Sequence, residues 1–108
     1  QNNRIAYEIK AFIHQHPEKI ISNREFANHF NVSLRTIENK FKSSFNMSIH
    51  QYMLKFKIDE AISYFKTFPN MTIQEIASNL GFFDQYHFSK QFKKITGVSP
   101  SVFKKNVN

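Results

Sequence analysis

FKSSFNMSIHQY, residues 41–52, and FKKITGVSPSVF, residues 92–103, are two versions of one segment. At an offset of 51 residues, Phe41 aligns with Phe92, Lys42 with Lys93, Asn46 with Gly97, Ser48 with Ser99 and Tyr52 with Phe103. Upstream the match continues, FANHFNVSLRTIENKF from Phe26 against IASNLGFFDQYHFSKQF from Ile76, pairing Ala27 with Ala77, Phe30 with Leu80 and Asn31 with Gly81. The second copy carries one extra residue in its turn. Asn and Gly are the residue types that best tolerate left-handed backbone after a helix. At Asn31/Gly81 and Asn46/Gly97 the repeat therefore preserves a stereochemical requirement as well as letters.

Each copy reads as a short helix with a small Ala at its centre, a tight turn at Asn or Gly, and a capped second helix, which is the helix-turn-helix layout. The small residue lets two helices cross closely, and the turn residue ends the first helix without strain. Cap signals extend this reading along the chain. Ser22 with Glu25, Ser48 with Gln51 and Thr72 with Glu75 have capping-box spacing. Ser33 and Asp84 suit N-cap positions, and Ser99 before Pro100 suits an N-cap followed by Pro in the first turn. The implied helices cover about 4–15, 23–30, 34–45, 49–67, 73–80, 85–96 and 100–106. Apolar residues recur at helical spacing within them: Ile5, Ile9, Phe12, Ile13; Leu34, Ile37, Phe41; Tyr52, Phe56; Ala61, Ile62, Phe65; Phe88, Phe92, Ile95. These are read as core stripes, with no cofactor assigned to the aromatics.

The expected fold is all-α, with seven helices and two homeodomain-like helix-turn-helix subdomains. Residues 1–48 form the first, 49–67 a linker helix and 68–108 the second. The linker spans about 28 Å at about 1.5 Å per residue, close to the roughly 34–36 Å between successive major grooves on one face of B-DNA. Length alone is equally compatible with plain scaffolding.

Composition agrees. The chain has 108 residues, 13 Phe, two Gly and three Pro, ample for one or two small cores but poor in the turn material of an all-β chain. Fifteen Lys and Arg against eight Asp and Glu give a formal charge of +7, the electrostatic footprint of a nucleic-acid partner or, equally, of a solvated basic face. From Gln85 onward there are five Lys and no acid. The absence of Cys excludes a disulfide framework, a Cys zinc site and thiol catalysis. No stretch is apolar enough to span a bilayer, so a cytoplasmic location is expected, and Gln1 in place of Met suggests a processed or excised chain.

The run IQEIASNLGFFDQYHFSKQFKKITGVSPSVFKK, from Ile73, resembles the C-terminal signature of the AraC/XylS transcription regulators. REFANHFNVSLRTIENKFKSSFNMSIHQYMLKFKIDEAISYF, from Arg24, is similar to the same family's first unit and linker helix. The resemblance covers roughly residues 5–105. It implies sequence-specific binding of double-stranded promoter DNA, two recognition helices in successive major grooves, and a sensor domain elsewhere in the parent regulator. Contact with RNA polymerase through that parent, and any oligomerisation through a domain outside this chain, are implied likewise. Three positions depart from the family pattern: Asn46 replaces the common Gly, Lys57 the common linker Arg, and Phe26 an aliphatic residue. A Lys at position 57 offers a point charge where Arg offers a bidentate fork.

Carried onto this sequence, the outward residues of the first reading helix are Arg35, Thr36, Glu38 and Asn39, and those of the second are Gln85, Tyr86, His87 and Lys90. Arg35 can hold guanine O6 and N7, Asn39 or Gln85 can pair with adenine, and Glu38 can accept from cytosine N4. Tyr86 suits a thymine methyl or a phosphate. Ser33, Lys40, Lys42, Lys93, Lys94 and Ser99, with the N–H groups at the helix starts, are phosphate candidates. Asp84 caps well but repels phosphate.

A helical protein-interaction domain with a basic face also accounts for the charge, but not for the paired turn motif. Enzymatic activity is not expected: the five His show no HExxH spacing, His14 and His16 do not share a helix face, and no nucleophile, base and orienter are suggested. No metal or cofactor is expected. The Asn-x-Ser/Thr triplets at Asn31, Asn46 and Asn70 read as turn followed by cap rather than as glycosylation sites.

Overall fold

Helices begin where the sequence offers an oxygen to the free N–H groups of a first turn. In this computed structural model, which describes residues 4–107, they are α1 (Arg4–Gln15), α2 (Asn23–Phe30), α3 (Leu34–Phe45), α4 (Ile49–Thr67), α5 (Ile73–Asn79), α6 (Gln85–Thr96) and α7 (Pro100–Val107). No strand occurs among the described residues. All three capping boxes form. The Glu25 N–H donates to Ser22 Oγ at 3.1 Å and the Ser22 N–H to Glu25 Oε1 at 2.9 Å. The pairs Ser48/Gln51 and Thr72/Glu75 repeat the exchange at 2.8–3.0 Å. The Thr72 backbone N–H, and after it the Thr72 hydroxyl, hold the Glu75 carboxyl below the ordinary carboxylate range.

Chain contacts divide the molecule into two compact units, the first ending at Met53 and the second beginning at Leu54. The division falls inside α4.

In the first unit Ala6, Ile9, Ile13, Phe26, Ala27, Ile37, Phe41, Ile49 and Met53 are buried. Phe41 meets Phe45 at 4.8 Å and Tyr52 at 5.6 Å between ring centroids. In the second, Ile58, Ala61, Phe65, Ile76, Ala77, Leu80, Phe82, Phe88 and Phe92 form one cluster. Phe92 meets Phe65 at 5.8 Å, Phe88 at 5.7 Å and Phe103 at 5.6 Å. Burial of each such ring contributes about 1.5–3 kcal/mol, and these aromatic contacts carry the packing of both units.

The turns between paired helices are closed alike. Asn31 adopts φ 56° and Gly81 φ 81°. One residue on, the Val32 N–H reaches Ala27 O and the Phe82 N–H reaches Ala77 O, both at 3.0 Å, so each satisfies an orphan carbonyl over the central Ala. Asn46 and Gly97 end α3 and α6 at φ 60° and 92°, each donating its N–H to a lysine carbonyl four residues back at 2.8 Å.

Four details differ from the sequence reading. α5 stops at Asn79, with Leu80 becoming its cap at φ −96°, and α7 runs one residue further, to Val107. Leu34 and Ile95 are not core residues, being 38% and 42% exposed. Leu34 opens α3 at the place the repeat equates with Gln85, on the outer side of its helix. Ile95 lies in the last turn of α6, past the buried Phe92, where the apolar stripe outruns its core.

Candidate nucleic-acid interface

Burying Ile37 and Phe41 turns the opposite side of α3 outward, because successive residues are set about 100° apart. Arg35, Glu38, Asn39 and Lys42 fall on that exposed stripe. Thr36 and Lys40 do not: both are half-buried on its flank. Thr36 belongs to the cap, its N–H donating to Ser33 Oγ at 3.0 Å while the Ser33 hydroxyl donates to Thr36 Oγ1 at 2.8 Å. Glu38 accepts from Asn23 Nδ2 at 3.2 Å, so α2 holds its carboxylate in place.

On α6, burial of Phe88 and Phe92 has the same effect. Gln85, Tyr86, His87, Lys90, Lys93 and Lys94 are all exposed, Tyr86 at 74%. Tyr86, Lys90, Lys93, Lys94 and Ser99 come together around one open groove of about 530 Å³, with Ser89 beside them. Three ammonium groups, three hydroxyl groups and no carboxylate line it, a lining whose charge and donors are complementary to a phosphate. Gln85 and His87 lie to either side of this stripe. The His87 N–H caps onto Asp84 Oδ1 at 2.8 Å, and its ring stands 5.6 Å from that of Phe82. Ser99 is half-buried, accepting from the Val102 N–H at 3.3 Å. Its hydroxyl is therefore partly spent on α7.

The 51-residue offset relates the two surfaces position by position: Arg35 to Tyr86, Glu38 to Ser89, Asn39 to Lys90, Lys42 to Lys93. Ser89 was not among the residues expected from the sequence. The signal that finds it is the repeat itself, since it stands where the first unit has Glu38. Phe83, just before the cap of α6, is 92% exposed.

The fold and this doubled surface define a DNA-binding domain of paired helix-turn-helix units. A family model described as a helix-turn-helix domain matches residues 26–106. The Msm operon regulatory protein of Streptococcus mutans is 32% identical over 100 residues, covering 93% of this chain and 36% of that protein. The transcriptional activator RhaR of Cronobacter sakazakii is 32% identical over 75% of this chain and 28% of its own length. The chain thus spans about a third of the length of the curated relatives it matches. Among solved structures, the C-terminal domain of AraT, a response regulator from Geobacillus stearothermophilus, superposes with a TM-score of 0.91 at 24% identity, covering 98% of this chain and 88% of that one. The DNA-binding domain of AdpA, solved in complex with a target DNA, superposes with a TM-score of 0.87 at 20% identity, over 94% and 90%. The chain belongs to the AraC/XylS family of transcription regulators, as a DNA-binding domain. No helix among the described residues is long and apolar enough to cross a membrane.

Proposed function

We propose that this domain reads double-stranded promoter DNA sequence-specifically, with α3 and α6 as its two reading helices placed in successive major grooves. The observation that carries the reading is the repeated outward stripe, Arg35, Glu38, Asn39 and Lys42 on α3 against Tyr86, Ser89, Lys90 and Lys93 on α6. Both helices bury equivalent positions and turn equivalent positions outward, and the outward ones are polar on both although their residue types differ. The AdpA domain's complex with a target DNA supports the same ligand class. Arg35, Glu38 and Asn39, with Gln85, Tyr86, His87 and Lys90, face base edges in this reading. Lys42, Lys93 and Lys94 face phosphates together with the N–H groups near Ser33 and Ser99. Thr36 and Lys40 act from the flank, Thr36 by holding the start of α3.

Residues 1–48 and 68–108 serve as the two reading heads, with 49–67 as the linker whose length suits one turn of DNA. In the longer parent regulator, acting in the cytoplasm, contact with RNA polymerase and any oligomerisation fall to the parent assembly. The test is selection of binding sites from a random duplex pool, followed by insertion of five base pairs between the two enriched blocks. Two blocks about 10 base pairs apart are expected, and the insertion, which turns one block to the opposite face, should remove most of the affinity gained from having both. Unchanged affinity after insertion leaves only one head reading DNA. Failure to enrich any motif favours a protein-interaction role for the basic face.

A further inference from the structure

The two helix-turn-helix copies align in sequence with a single inserted residue. Cap to cap, the first turn runs Asn31, Val32, Ser33 and the second Gly81, Phe82, Phe83, Asp84. The Val32 and Phe82 N–H groups make the same bond to Ala27 and Ala77, while Ser33 and Asp84 both cap the reading helix. Phe83 is therefore the inserted residue.

Its position makes its exposure informative. A hydrophobic residue just before an N-cap ordinarily packs on the fourth helical residue and fixes the chain's entry angle. In α6 that fourth residue is Phe88, and the contact is made by Phe82 instead, at 5.2 Å between centroids. Phe82 is 6% exposed, and Phe83 is 92% exposed. The fold has already filled the staple and has no use for the second ring. Isolated exposed apolar residues are common on protein surfaces; this one stands at the start of the reading helix, on the unit with no acid after Asp84. Asp84 Oδ1 accepts from the His87 N–H as the cap of α6. Phe83 also walls, with Gln74, Ser78, Asp84 and Gln85, a notch of about 190 Å³ between α5 and the first turn of α6.

We infer that Phe83 is a specificity residue that seats the 5-methyl group of a thymine in the block of bases read by α6. The inference rests on the DNA-reading function proposed above and adds to it the identity of one base contact. Thymine's methyl is the apolar feature of the major-groove edge, and an apolar side chain is its complement. Lys90, Lys93 and Lys94 on the same helix draw in the phosphates that bring the groove within reach.

The experiment uses the site selected from the random pool, with each thymine of the second block replaced in turn by deoxyuridine, which removes the methyl and nothing else. At one position the wild-type domain should lose about fourfold in affinity, the equivalent of about 0.8 kcal/mol for one buried carbon. In Phe83→Ala that thymine and deoxyuridine should bind equally, while the helical content and melting temperature stay at wild-type values because the ring is outside the core. A wild-type preference for thymine that survives in Phe83→Ala but disappears in Tyr86→Ala assigns the methyl to Tyr86 and overturns the inference. Equal loss from Phe83→Ala on both bases, or a second block with no thymine, overturns it too, while enrichment of the motif leaves the DNA-reading function standing. If no motif is enriched, the reading beneath the inference falls with it.

Discussion

The two units solve one packing problem with different surface chemistry. Phe41 and Phe92 are both fully buried and meet an equivalent ring, Tyr52 or Phe103, at the same 5.6 Å. The first pair includes a hydroxyl, which meets His14 Nε2 at 2.5 Å; the second has none. Outside, the contrast is larger. α3 presents a mixed face of Arg35, Glu38 and Asn39, while α6 presents Tyr86, Lys90, Lys93 and Lys94 with no acid. A mixed face of donors and acceptors suits base edges, where pattern matters. The lysines of α6 suit phosphate, where charge matters, beside Gln85 and Tyr86 side chains whose chemistry suits base edges. The comparison teaches that a duplicated scaffold keeps its interior and spends its divergence on the outer stripe.

Breaking the interior should have the largest effect and should fall alike on both units. Phe41→Ala and Phe92→Ala should each cost roughly 3–5 kcal/mol in chemical denaturation, the range for removing a buried ring. If both variants keep near-wild-type stability, the equivalence of the two positions is wrong.

The outer faces should separate where the cores do not. Arg35→Ala should weaken discrimination at one block of bases by about 1–3 kcal/mol, as expected for losing a bidentate guanine contact. Lys93→Ala should weaken binding to all sequences alike and reduce the dependence on salt. Affinities measured on matched and mismatched sites at several salt concentrations distinguish the two patterns. A uniform loss from Arg35→Ala would erase the contrast drawn between α3 and α6.

A smaller effect is expected at the ends of the reading helices. Asn46 and Gly97 are both left-handed, and a Cβ built on Gly97 meets nothing within 4 Å. The cost of a side chain there is conformational and not steric. Gly97→Ala should lose about 1–2 kcal/mol and Gly97→Asn less, because Asn tolerates this backbone better than Ala does. Asn46→Gly should change stability by no more than about 1 kcal/mol, read as a shift of a few degrees in the thermal midpoint. A loss larger at Asn46→Gly than at Gly97→Ala would show that the Asn side chain itself holds the first unit together.

Local features of this protein were legible in the sequence because their causes are local. A cap needs a hydroxyl or carboxylate three residues before its N–H, and all three capping boxes and the four left-handed positions follow from residue type and spacing. The buried stripes at Ile37 and Phe41, and at Phe88 and Phe92, follow from helical periodicity. The repeat offset carried the rest, including the equivalence of Arg35 with Tyr86. Where periodicity met a helix end it misled: Leu34 and Ile95 have core spacing, but spacing does not record where a neighbouring helix stops.

The tertiary structure alone decided how shared roles were divided. It placed Thr36 within the cap of α3, tied Glu38 to Asn23 on α2, and gathered Ser89 with the lysines of α6 around one groove. Adjacent Phe82 and Phe83 are the sharpest case. Two identical residues stand side by side in the turn, and their letters cannot say which is buried. The backbone bond from the Phe82 N–H to Ala77 O turns that side chain onto Phe88, and its successor is carried out into solvent. Residue type and spacing set where this chain bends; the packing of one helix on another set which side chains were left to meet a partner.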